Sequence, residues 1–130
     1  MKTTIFRIIS LLWMAIVAIL SLMPADRLPK ISWDLLAPDK VAHFIIYTLM
    51  SLFLIIALSS PQSNKAAGNM GSMATVGLRG AVTAALYGCL IEILQGTLTP
   101  NRHFDPADIV ANSLGCVVGV AVYRLFLSRK

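Results

Sequence analysis

Four long apolar stretches, separated by short polar segments, set the limits on the fold of this chain. They cover residues 8–23, 41–58, 75–95 and 107–127. A membrane-spanning helix needs about 20 residues, and each stretch comes close to that length. With 57% hydrophobic and 13% charged residues among 130, the apolar excess cannot be buried in one small globule. The sequence therefore predicts an all-α, polytopic membrane protein, a single domain over residues 1–130 with four transmembrane helices in a compact bundle. It argues against a soluble enzyme, a disordered tail and a disulfide-stapled secreted module.

The first apolar stretch has two interpretations. Lys2 and Arg7 precede it, as basic residues precede the core of a signal peptide. However, the stretch is longer than a typical signal core, and Met23-Pro24-Ala25 is a poor cleavage site. We therefore expect a retained transmembrane helix.

The distribution of basic residues predicts the orientation. With both termini inside, the inner side holds Lys2, Arg7, Lys65, Arg79, Arg124, Arg129 and Lys130, and the outer side holds Arg27, Lys30, Lys40 and Arg102. This bias agrees with the positive-inside rule and predicts an N-in/C-in protein. The net charge of +5 then favours a basic inner rim facing anionic lipid. No basic stripe interleaves with aromatic residues, so we expect no nucleic-acid partner.

The loops and small residues have simpler interpretations. Residues 25–38 contain Trp33 among charges, which suits an interfacial segment with an aromatic anchor. Residues 59–73 have the composition of a flexible connector. Gly115 and Gly119 form a small-xxx-small pair that predicts close helix packing. Cys89 and Cys116 are expected to be packing residues, and we expect no cofactor.

Several polar residues in the apolar stretches or just before them follow helical spacing. They are Asp39, His43 and Tyr47 on the second helix, Glu92 and Gln95 on the third, and Asp108 and Asn112 on the fourth. Residues three or four apart share one face of a helix. With a rise of 1.5 Å per residue, His43 lies about 6 Å, and Glu92 and Asn112 about 9 Å, from the outer ends of their helices. The spacing and topology thus predict one polar layer beneath the outer surface, with Lys40 and Arg102 above it. We expect this layer to line a polar pocket that opens to the outer side of the membrane.

Most of these residues also have a structural explanation. The aspartates at positions 39, 105 and 108 suit helix caps or the helix dipole, and Pro106 suits the first position of the fourth helix. Asn112 suits a bridge between helices, Tyr47 a core or interfacial aromatic, and His43 a satisfied core histidine. Glu92 is the hardest to explain in this way, because a carboxylate within a membrane is costly and typically marks a functional site.

Three motifs in order resemble the VanZ-like family of small bacterial membrane proteins. They are Asp39-Lys40-x-x-His43-Phe44-x-x-Tyr47, Glu92-x-x-Gln95, and Arg102-x-x-Asp105-x-x-Asp108-x-x-x-Asn112-x-x-Gly115. The likeness covers about residues 20–119. It implies four helices in the bacterial cytoplasmic (inner) membrane. The named member of the family is associated with low-level resistance to teicoplanin, a lipidated glycopeptide that binds cell-wall precursors.

Binding and catalysis are the two main functional hypotheses. In the first, Arg102 and Lys40 hold the phosphate or carboxylate of a lipid-linked or lipidated envelope molecule. Other polar side chains of the layer complete that binding site: Asp39, Tyr47, Glu92, Gln95, Asp105, Asp108 and Asn112. In the second, a hydrolase or transferase acts on a lipid head group with His43 or Glu92 as general base. Oxygen ligands from Glu92, Asp105, Asp108 and Asn112 then suit Mg²⁺. Against this second hypothesis, the sequence has no phosphatase, lipase or metalloprotease signature, and the aspartates also suit helix caps.

Two further interpretations give the polar layer another role. Glu92 and His43 suit a proton relay or transporter. However, a proton path needs polar groups on both sides of the membrane, and the inner halves of the helices lack titratable groups. Alternatively, the protein has a structural role, as a homo-oligomer or as a partner of other envelope proteins. The polar layer then only fixes the packing of its helices.

Overall fold

The described part of the chain folds into a bundle of four long helices. The structure, a computed structural model, describes residues 2–24, 38–59, 69–100 and 102–127. The helices are α1 (Lys2–Ser21), α2 (Pro38–Leu58), α3 (Asn69–Leu98) and α4 (Pro106–Val122), and a π-helical turn (Tyr123–Leu127) continues α4. Each of the four is long and apolar enough to cross a membrane, and the described ranges contain no strand. The predicted all-α fold with four membrane helices is confirmed.

The helix ends differ from the sequence prediction. The third helix extends to Asn69–Leu98 instead of residues 75–95, so the end of the predicted connector 59–73 is helical. The first helix begins at Lys2 rather than at residue 8, and the second begins at Pro38, where proline suits the first helical position. Hydropathy locates the apolar centre of a span, whereas a helix continues into the polar interface. Residues 25–37, with Trp33, and residues 60–68 lie outside the described residues.

Contacts at the two ends of the bundle define the helix directions. At one end, Arg7 Nε donates to the Ala57 carbonyl oxygen over 3.3 Å, and the hydroxyls of Ser59 and Tyr123 lie 2.7 Å apart. At the other end, Lys40 near the start of α2 meets Asp105 just before α4. Glu92 Oε1, near the end of α3, lies 3.7 Å from Nδ1 of His43, near the start of α2. Consecutive helices therefore alternate in direction, and the start of α1 and the end of α4 lie on the same side. The assignment of that side to the cell interior stays a prediction.

Helix α2 is the centre of the bundle and packs against α1, α3 and α4. Its approach to α4 is closest at two glycines. A Cβ at Gly115 would collide with the Phe44 carbonyl oxygen, and one at Gly119 would lie 2.8 Å from the Thr48 carbonyl oxygen. The predicted small-xxx-small packing is confirmed. Ser51 Oγ strengthens the same interface by donating to the Cys116 carbonyl oxygen over 3.1 Å.

The interior contains two apolar clusters. Their buried members are Val17, Tyr47, Met50, Ala84 and Cys116 in one, and Ile55, Val76 and Tyr123 in the other. The outer faces instead expose large apolar side chains such as Leu11, Leu86 and Phe126. Because lipid is the surrounding solvent of a membrane protein, apolar side chains suit both positions. The buried polar residues are therefore the ones that indicate a candidate functional site.

Candidate functional site

The site residues converge where three helix ends meet. Asp105 caps α4: its Oδ1 accepts the Ala107 N–H over 2.8 Å, and Pro106 follows at the first helical position. Asp108 lies in the first turn of the same helix. The predicted cap is confirmed, and it fixes the start of α4 beside the start of α2.

The outer part of the site is an ion-pair cluster around Lys40. Its ammonium lies 2.7 Å from Asp105 Oδ2, 2.9 Å from Asp108 Oδ1 and 3.2 Å from Asp39 Oδ2. An ammonium has three N–H donors, so these three carboxylates occupy all of them. The hydrogen bond from Lys40 lowers the pKa of Asp105 below its ordinary value, and the Ala107 backbone N–H lowers this pKa further. Lys40 therefore organises carboxylates at the mouth of the site.

The inner part of the site centres on His43. Its Nδ1 lies 3.0 Å from Asn112 Oδ1, and since an amide oxygen only accepts hydrogen bonds, Nδ1 carries the proton. Nδ1 also lies 3.7 Å from Glu92 Oε1, and Nε2 lies 3.8 Å from Asp108 Oδ2. The imidazole thus links side chains from α2, α3 and α4. The structure brings these residues into one layer, as the spacing along the helices predicts.

Glu92 is the most unusual side chain of this layer. It is 1% exposed, and neither carboxylate oxygen has a hydrogen-bond partner among the described residues. Tyr47 Oη and Asn112 Nδ2 are likewise buried and without such a partner. Burying polar groups in this way costs free energy. The interior of the site therefore has unused hydrogen-bonding capacity.

Tyr47 forms the wall beneath His43. The two rings are parallel, with an interplanar angle of 2° and centroids 6.4 Å apart. Gly88 on α3 makes room for this arrangement, because a Cβ there would lie 2.8 Å from Tyr47 Cε1 and 3.1 Å from Asn112 Nδ2. Sequence reasoning missed Gly88, although its position one turn before Glu92 places it on the same face of α3. Gln95 follows on that face and is also buried.

A groove of about 310 Å³ opens beside His43 and Tyr47. The end of α1, the start of α2 and the segment before α4 form it. Its lining residues are Val17, Leu20, Ser21, Pro38, Asp39, Ala42, His43, Ile46, Tyr47 and Arg102. Arg102 Nε is buried without a hydrogen-bond partner among the described residues. The groove thus combines apolar walls with a cation, and the contribution of α1 to it was absent from the sequence prediction.

Among the described residues, two groups of side chains have the composition and spacing for a metal ion. They are His43, Glu92 and Asp108 in the inner part, and Asp39, Asp105 and Asp108 in the outer part. Within each group, one ligand atom per residue lies within 4.8 Å of the others. In the outer group, the Lys40 ammonium already supplies the positive charge.

The sequence as a whole matches a known family. The family model described as VanZ/LLP1 matches residues 3–127. The chain belongs to the VanZ/LLP1 family. No curated protein and no solved structure gives a significant match. The match confirms the resemblance seen in the motifs. Its range, residues 3–127, includes the ion-pair cluster around Lys40 and the layer around His43.

Proposed function

We propose that this multi-pass membrane protein binds an anionic lipid-linked or lipidated molecule of the cell envelope, within the cytoplasmic membrane of a bacterium. The observation that carries the proposal is the groove, in which Arg102 lies among apolar walls and its Nε is buried without a hydrogen-bond partner among the described residues. A lipid with a charged head group has matching chemistry: its acyl chain needs an apolar surface, and its phosphate or carboxylate needs a cation.

The apolar part of the groove suits an acyl chain. Val17 and Leu20 of α1 and Ile46 of α2 contribute to its walls. Leu20 in this wall is 46% exposed, so an acyl chain bound there would reach the surface that faces lipid.

Arg102 is the anion-binding residue in this proposal. A guanidinium has five N–H donors in a planar fork, which fits phosphate and carboxylate in a bidentate way. The sequence alone also favours Lys40 as an anion-binding residue. Its ammonium contacts three carboxylates, so in this proposal it links the starts of α2 and α4 instead. His43, Asp39 and Tyr47 also line the groove and suit hydroxyl or amide groups of the head group.

The test is native mass spectrometry of the full chain released from membranes, followed by titration with a phosphate-bearing lipid in nanodiscs. Arg102→Ala is expected to weaken lipid binding about tenfold or more, since hydrogen bonds to charged groups contribute about 1.5–3 kcal/mol. Arg79→Ala is the matched control, because Arg79 is an exposed arginine of α3 outside the groove. Equal affinity of the two variants would remove Arg102 from the site.

A membrane-embedded hydrolase or transferase is the second candidate function. It is favoured by one observation: His43 lines the groove, and its Nδ1 lies 3.7 Å from Oε1 of Glu92, a carboxylate without a hydrogen-bond partner among the described residues. Either group then serves as general base toward a bound head group. Glu92→Gln is expected to abolish turnover of a lipid-linked phosphate while lipid binding persists. Full turnover in this variant would exclude Glu92 as the base.

The proposal extends to teicoplanin, because a lipidated glycopeptide also joins an apolar chain to polar and charged groups. Expression of the wild-type protein is expected to lower bacterial susceptibility to teicoplanin, and expression of Arg102→Ala is not. Equal susceptibility with and without the wild-type protein would show that this protein does not contribute to teicoplanin resistance. That result would leave the lipid-binding proposal unaffected.

A further inference from the structure

We propose that His43, Glu92 and Asp108 form a binding site for one divalent transition-metal ion, with Zn²⁺ or Mn²⁺ as the matching chemistry. The three residues come from α2, α3 and α4 and lie beside the inner wall of the groove. The site is independent of any lipid, so it goes beyond the function proposed above.

The donor set fits such an ion. An imidazole nitrogen with carboxylate oxygens is typical of zinc, manganese and iron sites, whereas calcium and magnesium favour oxygen ligands alone. One ligand atom of each residue lies within 4.8 Å of the other two. Three ligands that are each about 2.1 Å from one ion lie about 3.4–3.6 Å from one another. Side-chain shifts of about 1 Å therefore close the site around a metal ion.

The buried Glu92 carboxylate points to a missing positive charge. Glu92 is 1% exposed, and both of its carboxylate oxygens are without a hydrogen-bond partner among the described residues. This observation is independent of the spacing of the three ligands. A bound cation supplies what the carboxylate lacks, because direct coordination replaces the lost hydration of a buried charge.

Asn112 prepares His43 for this role. The Nδ1–H of His43 faces Asn112 Oδ1 at 3.0 Å, so the Nε2 lone pair is free for an ion and lies 3.8 Å from Asp108 Oδ2. Metal-binding histidines typically donate their second ring N–H to such an oxygen, which fixes the tautomer and the ring orientation.

The surrounding charges also favour a cation at the inner position. Asp108 divides its carboxylate between two neighbours: Oδ1 contacts Lys40, and Oδ2 faces His43. Lys40 balances one of the carboxylates contributed by Asp39, Asp105, Asp108 and Glu92. Each outer carboxylate forms a direct ion pair with Lys40, whereas the Glu92 carboxylate has no lysine or arginine among its described ion-pair contacts.

The experiment measures metal binding by the full chain after removal of any affinity tag. Protein in detergent is stripped with a chelator, equilibrated with Zn²⁺ alone or Mn²⁺ alone, and analysed for metal per chain and for thermal unfolding. The wild type is expected to bind about one ion per chain, and the ion is expected to raise its unfolding temperature, as any ligand specific to the folded state does. Glu92→Gln is expected to lose at least tenfold in affinity.

Asp39→Asn is the matched control, because it removes a carboxylate that contacts Lys40 but lies outside the inner group. It is expected to retain wild-type metal affinity, as is Arg102→Ala, which separates this proposal from lipid binding. His43→Gln provides a second variant if Glu92→Gln fails to fold. A wild type that binds neither ion overturns the proposal, and so does a folded ligand variant that binds as tightly as the wild type.

Discussion

At the scale of single residues, Lys40 holds the first turns of α2 and α4 together through its three carboxylate contacts. Removing its charge leaves Asp39, Asp105 and Asp108 repelling one another. Lys40→Met is therefore expected to lower the free energy of unfolding at pH 7 by about 0.5–1 kcal/mol, in the range of partly exposed ion pairs. The measurement is thermal unfolding followed by circular dichroism in detergent, with Lys40→Arg as the charge-conserving control. A Lys40→Met variant as stable as the wild type would contradict a stabilising role.

The same cluster predicts a dependence on pH. Lys40 lowers the pKa of Asp105 below the ordinary aspartate value of 3.8. A carboxyl group whose pKa is lower in the folded state stabilises the protein above its unfolded pKa, and this stabilisation disappears as the pH falls through the folded pKa. The difference in stability between wild type and Lys40→Met is thus expected to be complete above about pH 4 and to diminish at lower pH. A difference that stays constant down to pH 2.5 would contradict an ionic origin.

At the scale of helices, the contact between α2 and α4 depends on having no side chain at two positions of α4. In Gly119→Ala, the new Cβ would lie 2.8 Å from the Thr48 carbonyl oxygen and 2.9 Å from Ser51 Cβ. Because backbone must move to relieve these contacts, we expect a loss of about 1–3 kcal/mol in unfolding free energy. Gly77→Ala is the control, since its Cβ would meet only Val120 Cγ1 at an ordinary 3.5 Å. Equal unfolding temperatures for the two variants would contradict tight packing at Gly119.

The helix scale also shows how much the sequence predicts. Local signals identified the Asp105 cap, the Gly115 and Gly119 pair and the shared face of His43 and Tyr47, because each depends on residues within a few turns of one helix. The ion pairs of Lys40 were not predicted, since they depend on how α2 meets α4. The contribution of α1 to the groove was missed for another reason: Val17 and Leu20 resemble any lipid-facing apolar residues until a neighbouring helix is positioned beside them.

At the scale of the whole molecule, the two ends of the bundle carry different polar contacts. Arg7 contacts Ala57 and Tyr123 contacts Ser59 at one end, whereas the Lys40 cluster and the groove residue Arg102 lie toward the other. The positive-inside rule assigns the first end to the cytoplasm, so the groove is expected to face the outer leaflet.

Reporters fused in turn to the N-terminus and the C-terminus test this arrangement. A fluorescent protein that matures only in the cytoplasm is expected to be active at both positions. A phosphatase that is active only outside is expected to be silent at both. Different results at the two termini would contradict the helix directions, while an active phosphatase at both would reverse the orientation and move the groove to the inner leaflet. The same fusions then decide which side of the membrane must supply the anionic lipid in the binding experiment.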